Sequence, residues 1–176
     1  MSRFPLCFAL VMALALAACG GPPAQRRSGI PAPLDCVPFA RALSGVTLRG
    51  DAGDWWRAAA GRYEQGASPE IGSVMVFART PRLARGHVSV VSRVLSRYEI
   101  QVTHANWLHH HVTTDQLVRD ISPRGDWSLV RVWWPPSDSL GNTGYPVLGF
   151  IYSGHSTSHD RLARDVPTAM RVALGR

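Results

Sequence analysis

Leu34 to Gly45, which reads L-D-C-V-P-F-A-R-A-L-S-G, places a cysteine at the predicted start of a helix. Asp35 is of a residue type that accepts hydrogen bonds from the free N–H groups of a first helical turn. Pro38 is tolerated in that turn, and Gly45 suits the left-handed residue that often ends a helix. Cys36 is therefore predicted at a helix N-terminus, where the helix dipole favours the thiolate and the charge of Asp35 opposes it.

The three cysteines of the chain fall into two groups. Cys7 and Cys19 lie in the apolar N-terminal segment, so Cys36 is the single thiol of the part that folds. A free cysteine is most often a small buried hydrophobic residue, and that remains the alternative for Cys36. An unpaired thiol in an exported protein is a chemical liability, however, and its presence favours a catalytic role.

The N-terminus has the layout of an export signal. Arg3 precedes an apolar run from Phe4 to Ala18 that is too short to span a bilayer. The sequence that ends in Cys19, L-A-A-C, resembles a bacterial lipobox, which implies that residues 1–18 are a signal peptide and that Cys19 carries a lipid. An ordinary cleavable signal is the alternative. Residues 19–33 are rich in Gly and Pro and are predicted to be a flexible tether.

Length and charge limit the remaining possibilities. The residues after the tether fit one domain, predicted over 34–152, followed by a basic tail over 153–176 in which residues 160–174 have a marginal helical pattern. The formal charge is +7, and all 19 basic residues are arginine. The arginines are scattered, so nucleic acid is disfavoured and a polyanionic cell wall or an acidic lipid surface is the expected setting. We expect a monomer.

Two histidines are predicted at one edge of a β-hairpin. The runs 87–94 and 98–104 are rich in β-branched residues and fit neighbouring antiparallel strands, with further strands over 73–78 and 127–134. His87 would begin one strand and His104 would end the next, so both rings would lie at the same edge. A cysteine nucleophile needs a base and a group that orients the base, and these histidines are candidates for both roles.

Aromatic and histidine-rich segments have weaker assignments. Asp54 is predicted to cap a helix that starts with Trp55 and Trp56. Two adjacent helical positions cannot face the same way, so one ring packs inward and Trp56 is a candidate substrate contact, as is Trp107. The run His109 to His111 is predicted to be a solvated loop or strand beside the cleft, with a catalytic zinc as the weaker alternative. No metal and no cofactor are expected.

Five segments in order resemble the CHAP domain, the cysteine- and histidine-dependent amidohydrolase and peptidase family of papain-like fold. They are C-V-P-F-A-R at 36–41, D-W-W-R-A-A at 54–59, G-S-V-M-V-F at 72–77, G-H-V-S-V-V at 86–91 and T-H-A-N-W at 103–107. The resemblance implies an α+β fold with N-terminal helices packed on an antiparallel β-sheet. It implies Cys36 as nucleophile and His87 as general base. His104 stands where the family commonly has an acidic residue, and Asn106 is a second candidate for orienting His87.

The resemblance also implies a function. The expected activity is hydrolysis of peptidoglycan, either as an N-acetylmuramoyl-L-alanine amidase or as a stem-peptide endopeptidase, by acyl transfer through Cys36 to water. The alternative is an inactive scaffold that binds cell wall or a partner enzyme, which the departure at His104 would suit. Gly20 follows Cys19 without the aspartate that resembles an inner-membrane retention signal, so the periplasmic face of the outer membrane is the expected location.

Overall fold

The computed structural model describes residues 29–175. In chain order its elements are β1 (Ile30–Pro31), α1 (Cys36–Ser44), a 3₁₀ turn (Ala52–Asp54), α2 (Trp55–Ala59), β2 (Glu64–Gly66), β3 (Val74–Phe77), β4 (His87–Val94), β5 (Glu99–Ala105), β6 (His111–Asp120), β7 (Leu129–Trp134), a second 3₁₀ turn (Pro135–Ser137), β8 (Ser139–Leu140), β9 (Tyr145–Tyr152) and α3 (His159–Ala173). The predicted signal peptide, Cys19 and most of the predicted tether lie outside these residues.

The strands form an antiparallel sheet that closes on itself. The order β6-β5-β4-β3-β9-β7 is completed by pairing of β6 with β7, so these strands of the described chain make a barrel. The predicted α+β class with an antiparallel sheet is confirmed, and the sheet differs from the simple sheet of that description in being closed into a barrel. Closure removes the two free edges that an open sheet would expose. Register shifts in the β3–β9, β4–β5 and β5–β6 pairings bend the strands, as closure requires.

Two apolar clusters hold the fold together. One fills the barrel, with Met75, Phe77 and Phe150 among its largest side chains. The other lies between the outer face of β3 and β4 and the helices, and it contains Phe39 and Trp55. Strand β4 is buried from its first residue through its sixth because it contributes to both clusters. This double burial explains why valines occur on both faces of the strand: Val88 and Val90 belong to the cluster under the helices, and Val91 belongs to the cluster inside the barrel.

Helix α3 is part of the helical layer. The helix predicted over residues 160–174 is present as His159–Ala173, and the Ser158 hydroxyl caps it by accepting from the N–H of Arg161. Leu162, Val166 and Ala169 are spaced to share one helix face, and all three are buried in the cluster that includes α1. The stretch after residue 158 therefore stabilises the helix that carries Cys36.

The beginning of the described chain is also attached to the barrel. Ile30 and Pro31, which composition places in the flexible tether, form β1 and pair with Val112 and His111 of β6. None of the helices within residues 29–175 is long and apolar enough to cross a bilayer.

Candidate active site

Cys36 is the first residue of α1, as predicted. Asp35 precedes it in an extended conformation, and Gly45 ends the helix with the left-handed φ of 77° that favours glycine. The carboxylate of Asp35 does not cap the helix; it accepts a hydrogen bond of 3.1 Å from the Asn106 side-chain amide. The helix therefore presents the half-buried Cys36 thiol beside Asp35 at its N-terminal end.

His87 and His104 meet at the predicted hairpin edge. Strands β4 and β5 pair antiparallel, and the His87 Nε2 and His104 Nδ1 atoms lie 3.1 Å apart in a hydrogen bond. The side chains are only 4% and 1% exposed, respectively. Because one ring nitrogen of His87 is occupied by His104, its Nδ1 is the nitrogen left for a second partner.

Trp107 fixes the histidine pair from the side. Its ring stacks on His104 at an angle of 17° and meets His87 edge-on, with a centroid distance of 5.1 Å to His87. Phe77 contacts His87 edge-on as well. Trp107 is thus a neighbour of the candidate base and does not line the cavity described below, so its contacts are those of a packing residue.

Asn106 is near the site but makes different contacts from those expected. Its amide nitrogen donates to Asp35, and its amide oxygen accepts from the backbone N–H of His110 at 3.0 Å. With both ends of the amide occupied, Asn106 does not orient His87 in this structure. The orienting contact comes from His104, and Asn106 instead ties the hairpin turn to the start of α1.

The structure does not bring Trp56 to the site. Trp55 is fully buried against the helical layer, so the next position along α2 faces elsewhere. The Trp56 ring lies against Gly149 of β9, where an added Cβ would come within 2.5 Å of a ring atom. Trp56 does not line the cavity that contains Cys36 and His87, and a substrate contact at Trp56 stays a prediction.

One cavity of about 370 Å³ joins the candidate nucleophile and base. Both Cys36 and His87 line it, together with Asn106 and the residues before and after the cysteine. Its remaining walls are residues 50–52 and residues 82–86. The cavity is large enough for a few residues of an extended peptide or a comparable polar ligand.

The loop that forms one wall is held by ion pairs that the sequence analysis did not identify. Arg79 contacts Asp51 at 3.1 Å and Asp54 at 2.6 Å, and Arg85 contacts Asp51 at 2.6 Å. The Arg85 carbonyl also accepts from the N–H of Gly53 at 2.9 Å. The arginine-rich loop is evident in the sequence, but no local signal links it to two aspartates about thirty positions earlier.

Gly86 allows this loop to approach the 3₁₀ turn closely. It has a φ of 72°, and a Cβ at this position would overlap the backbone of Gly53. The residue after Gly86 is His87, so the same close contact that fixes the loop also fixes the start of β4. The contact between Gly86 and Gly53 therefore helps to position the candidate base, His87.

Burial controls the protonation states at the site. Burial raises the pKa of the Cys36 thiol above its ordinary value, and the charge of Asp35 adds to this, although a hydrogen bond from the Val88 backbone opposes it. Burial lowers the pKa of His87 to about 3, and burial together with His87 lowers that of His104. The resting site therefore holds a neutral thiol and neutral imidazoles. Of the two opposing influences expected on Cys36, the charge of Asp35 acts in the same direction as burial, and the backbone N–H donors do not outweigh them.

The three consecutive histidines lie in and after the β5–β6 turn. The His109 and His110 rings stack with centroids 3.8 Å apart, and His111 Nδ1 lies 2.8 Å from the carbonyl oxygen of His109. No group of three or more His, Cys, Asp or Glu side chains within residues 29–175 is placed to hold a metal ion.

A cysteine at a helix start that lines one cavity with a histidine of an antiparallel barrel is an arrangement of the papain-like class. Residues 26–106 match the family model described as the CHAP domain, and this part of the chain is a CHAP domain. CHAP domains are generally hydrolases that act on peptidoglycan as amidases or peptidases. Comparison with curated proteins gives no match. The matched segment contains Cys36, His87 and His104, whereas the strands that close the barrel follow it.

Proposed function

We propose that the protein is a cysteine-dependent hydrolase of peptidoglycan amide bonds, either an N-acetylmuramoyl-L-alanine amidase or a stem-peptide endopeptidase. The observation that carries the proposal is that Cys36 and His87 line one cavity while His104 holds the far nitrogen of His87 at 3.1 Å. A nucleophile, a base and an orienting group are the minimum set for acyl transfer. The CHAP match supplies the substrate class.

The first step is attack of Cys36 on the amide carbonyl. His87 accepts the thiol proton through Nδ1 while the sulfur–carbon bond forms, since burial disfavours a separated thiolate and imidazolium before substrate arrives. The backbone N–H of Cys36 lies in the first turn of α1, where it has no helical acceptor, and it can donate to the developing oxyanion.

The second step returns the proton and releases the product. Protonated His87 donates to the leaving amine as the carbon–nitrogen bond breaks, which leaves an acyl group on Cys36. Neutral His87 then takes a proton from water as the water oxygen attacks the thioester carbonyl. The carbon–sulfur bond breaks, the acid is released, and His87 returns the proton to the Cys36 sulfur. His104 accepts from the Nε2–H of His87 throughout, and in this role it is a positioning residue.

Digestion of purified peptidoglycan tests the proposal. The full chain should release fragments whose new termini identify the bond, and Cys36→Ala should release none while retaining its fold, because the thiol is half-buried at a helix end and not in the centre of a core. Mass spectrometry identifies the fragments and circular dichroism checks the fold. Equal digestion by a folded Cys36→Ala protein would overturn the proposal.

A non-catalytic scaffold that binds cell wall or a partner enzyme is the second candidate. It is favoured by the raised pKa of Cys36 and by the presence of His104 where a carboxylate would stabilise an imidazolium. Alkylation separates the two candidates: a catalytic thiol is modified and is protected by peptidoglycan fragments, whereas a scaffold thiol shows no protection. A folded chain that binds peptidoglycan without hydrolysing it, and whose thiol gains no protection from the fragments, would favour the scaffold.

The proposal includes the cellular address. We propose that residues 1–18 are removed, that Cys19 is lipidated, and that the monomeric protein is anchored at the periplasmic face of the outer membrane. Support comes from the lipobox-like sequence and from Gly20. Incorporation of labelled palmitate by the wild-type chain, and its loss in Cys19→Ala, is the expected result. Labelling that persists in Cys19→Ala would contradict it.

A further inference from the structure

The loop of residues 79–86 carries three arginines and no acidic residue. Two of them are used to hold the loop. Arg79 is shared by Asp51 and Asp54, and both the Nε and an Nη atom of Arg85 contact one oxygen of Asp51. The carboxylates of Asp51 and Asp54 are therefore paired with the guanidinium groups of Arg79 and Arg85, which hold the loop in place.

Arg82 is the third arginine of this loop. It lines the cavity, and within residues 29–175 no hydrogen bond or ion pair engages its side chain. The Arg82 side chain is exposed, so its guanidinium keeps five donors available for a ligand. The other charged residues that line the cavity are Asp51 and Arg85, which pair with each other, and Asp35, whose carboxylate accepts a hydrogen bond from Asn106.

The backbone at Arg82 is fixed, although its side chain is not. Thr80 and Leu83 exchange two backbone hydrogen bonds of 3.1 Å and 3.0 Å across it, and the Thr80 hydroxyl accepts a further one from the N–H of Leu83. Pro81 restricts the turn from within. A guanidinium on a rigid turn at the rim of a catalytic cavity is suited to bidentate binding of a carboxylate.

We infer that Arg82 determines specificity by binding a free carboxylate of the substrate close to the scissile amide. The inference rests on the proposed function. Its substrate class is an acidic stem peptide, in which the glutamate residue keeps its free carboxylate, in preference to the same peptide with that group amidated. An amide offers the guanidinium one neutral acceptor in place of a charged pair of oxygens, so the contact weakens when the carboxylate is amidated.

Binding measurements in the Cys36→Ala full chain keep this inference separate from catalysis. Two stem peptides that differ only in the free or amidated glutamate carboxylate are titrated by calorimetry at low salt. The acidic peptide should bind about fivefold more tightly, as expected for one solvent-exposed charge pair, and added salt should reduce the preference. Arg82→Gln in the same background should abolish the preference.

The matched control is Arg131→Gln, which removes an exposed arginine from β7, where it pairs in register with Arg119 away from the cavity wall. The preference for the acidic peptide should survive this change. Equal binding of the two peptides, or a preference that survives Arg82→Gln, would overturn the inference. Absence of cysteine-dependent hydrolysis by the wild-type chain would instead overturn the proposed function, whatever the binding experiment gives.

Discussion

The buried histidine pair makes a quantitative prediction about acid stability. His87 has a pKa of about 3 in the folded protein because of burial, whereas an exposed histidine in the unfolded chain titrates near 6.5. Between these values the unfolded chain binds a proton that folded His87 does not bind. The stability contributed by His87 is therefore full above pH 6.5 and is lost progressively as the pH falls towards 3.

The size of the effect follows from the two pKa values. On going from pH 7 to pH 5, linkage gives a loss of about 2 kcal/mol in the free energy of unfolding from His87 alone. Burial also lowers the pKa of His104, so His104 further decreases the free energy of unfolding as the pH falls. The change is a sizeable part of the stability of an ordinary domain.

Urea denaturation at pH 7 and at pH 5 measures this loss in the free energy of unfolding. The difference in the free energy of unfolding between the two pH values should be about 2 kcal/mol smaller in His87→Gln than in the wild-type protein, because glutamine does not titrate. His155→Gln is the control, since that histidine lies on an exposed loop, and it should leave the wild-type difference unchanged. An unchanged difference in His87→Gln would refute the reasoning that burial keeps this imidazole neutral.

Three further predictions concern reactivity, catalysis and packing. Because burial raises the pKa of Cys36, its alkylation rate by iodoacetamide should keep rising from pH 6 to pH 9; a plateau below pH 8 would contradict the neutral resting thiol. His104→Gln should lower kcat by about 10²-fold with little change in KM, because a positioning residue acts on the base; steady-state kinetics with a soluble fragment would measure this, and a loss confined to KM would count against it. Gly86→Ala should destabilise the fold by about 2 kcal/mol more than Gly154→Ala in urea denaturation, because both glycines have a positive φ but only the first meets neighbouring backbone; equal losses would contradict the close approach.

Local sequence signals were sufficient for the elements that carry the site. The residues flanking Cys36, an aspartate before it and Gly45 after the helix, predicted the bounds of α1. The β-branched runs predicted the hairpin that brings His87 to His104, because register and alternation within a hairpin are set by neighbouring residues. Helix α3 was predicted at nearly its observed bounds, because the helical pattern of residues 160–174 is also local.

Long-range contacts account for what was missed. Closure of the barrel depends on pairing of β6 with β7, and alternating strands look the same in an open and a closed sheet. The partner of Asn106 proved to be Asp35, 71 positions away, and not the nearby His87. The opposing effects of the helix terminus and of Asp35 on the pKa of Cys36 could be read from the sequence, but burial, which raises that pKa most, could not.

Trapping the acyl-enzyme tests the central claim most directly. The wild-type chain is mixed with soluble peptidoglycan fragments, quenched in acid during turnover, digested with a protease and analysed by mass spectrometry. We predict an acyl fragment of the substrate on the peptide that contains Cys36, and its absence in Cys36→Ala. Hydrolysis that proceeds equally in Cys36→Ala, with no adduct on the wild-type cysteine, would contradict the account.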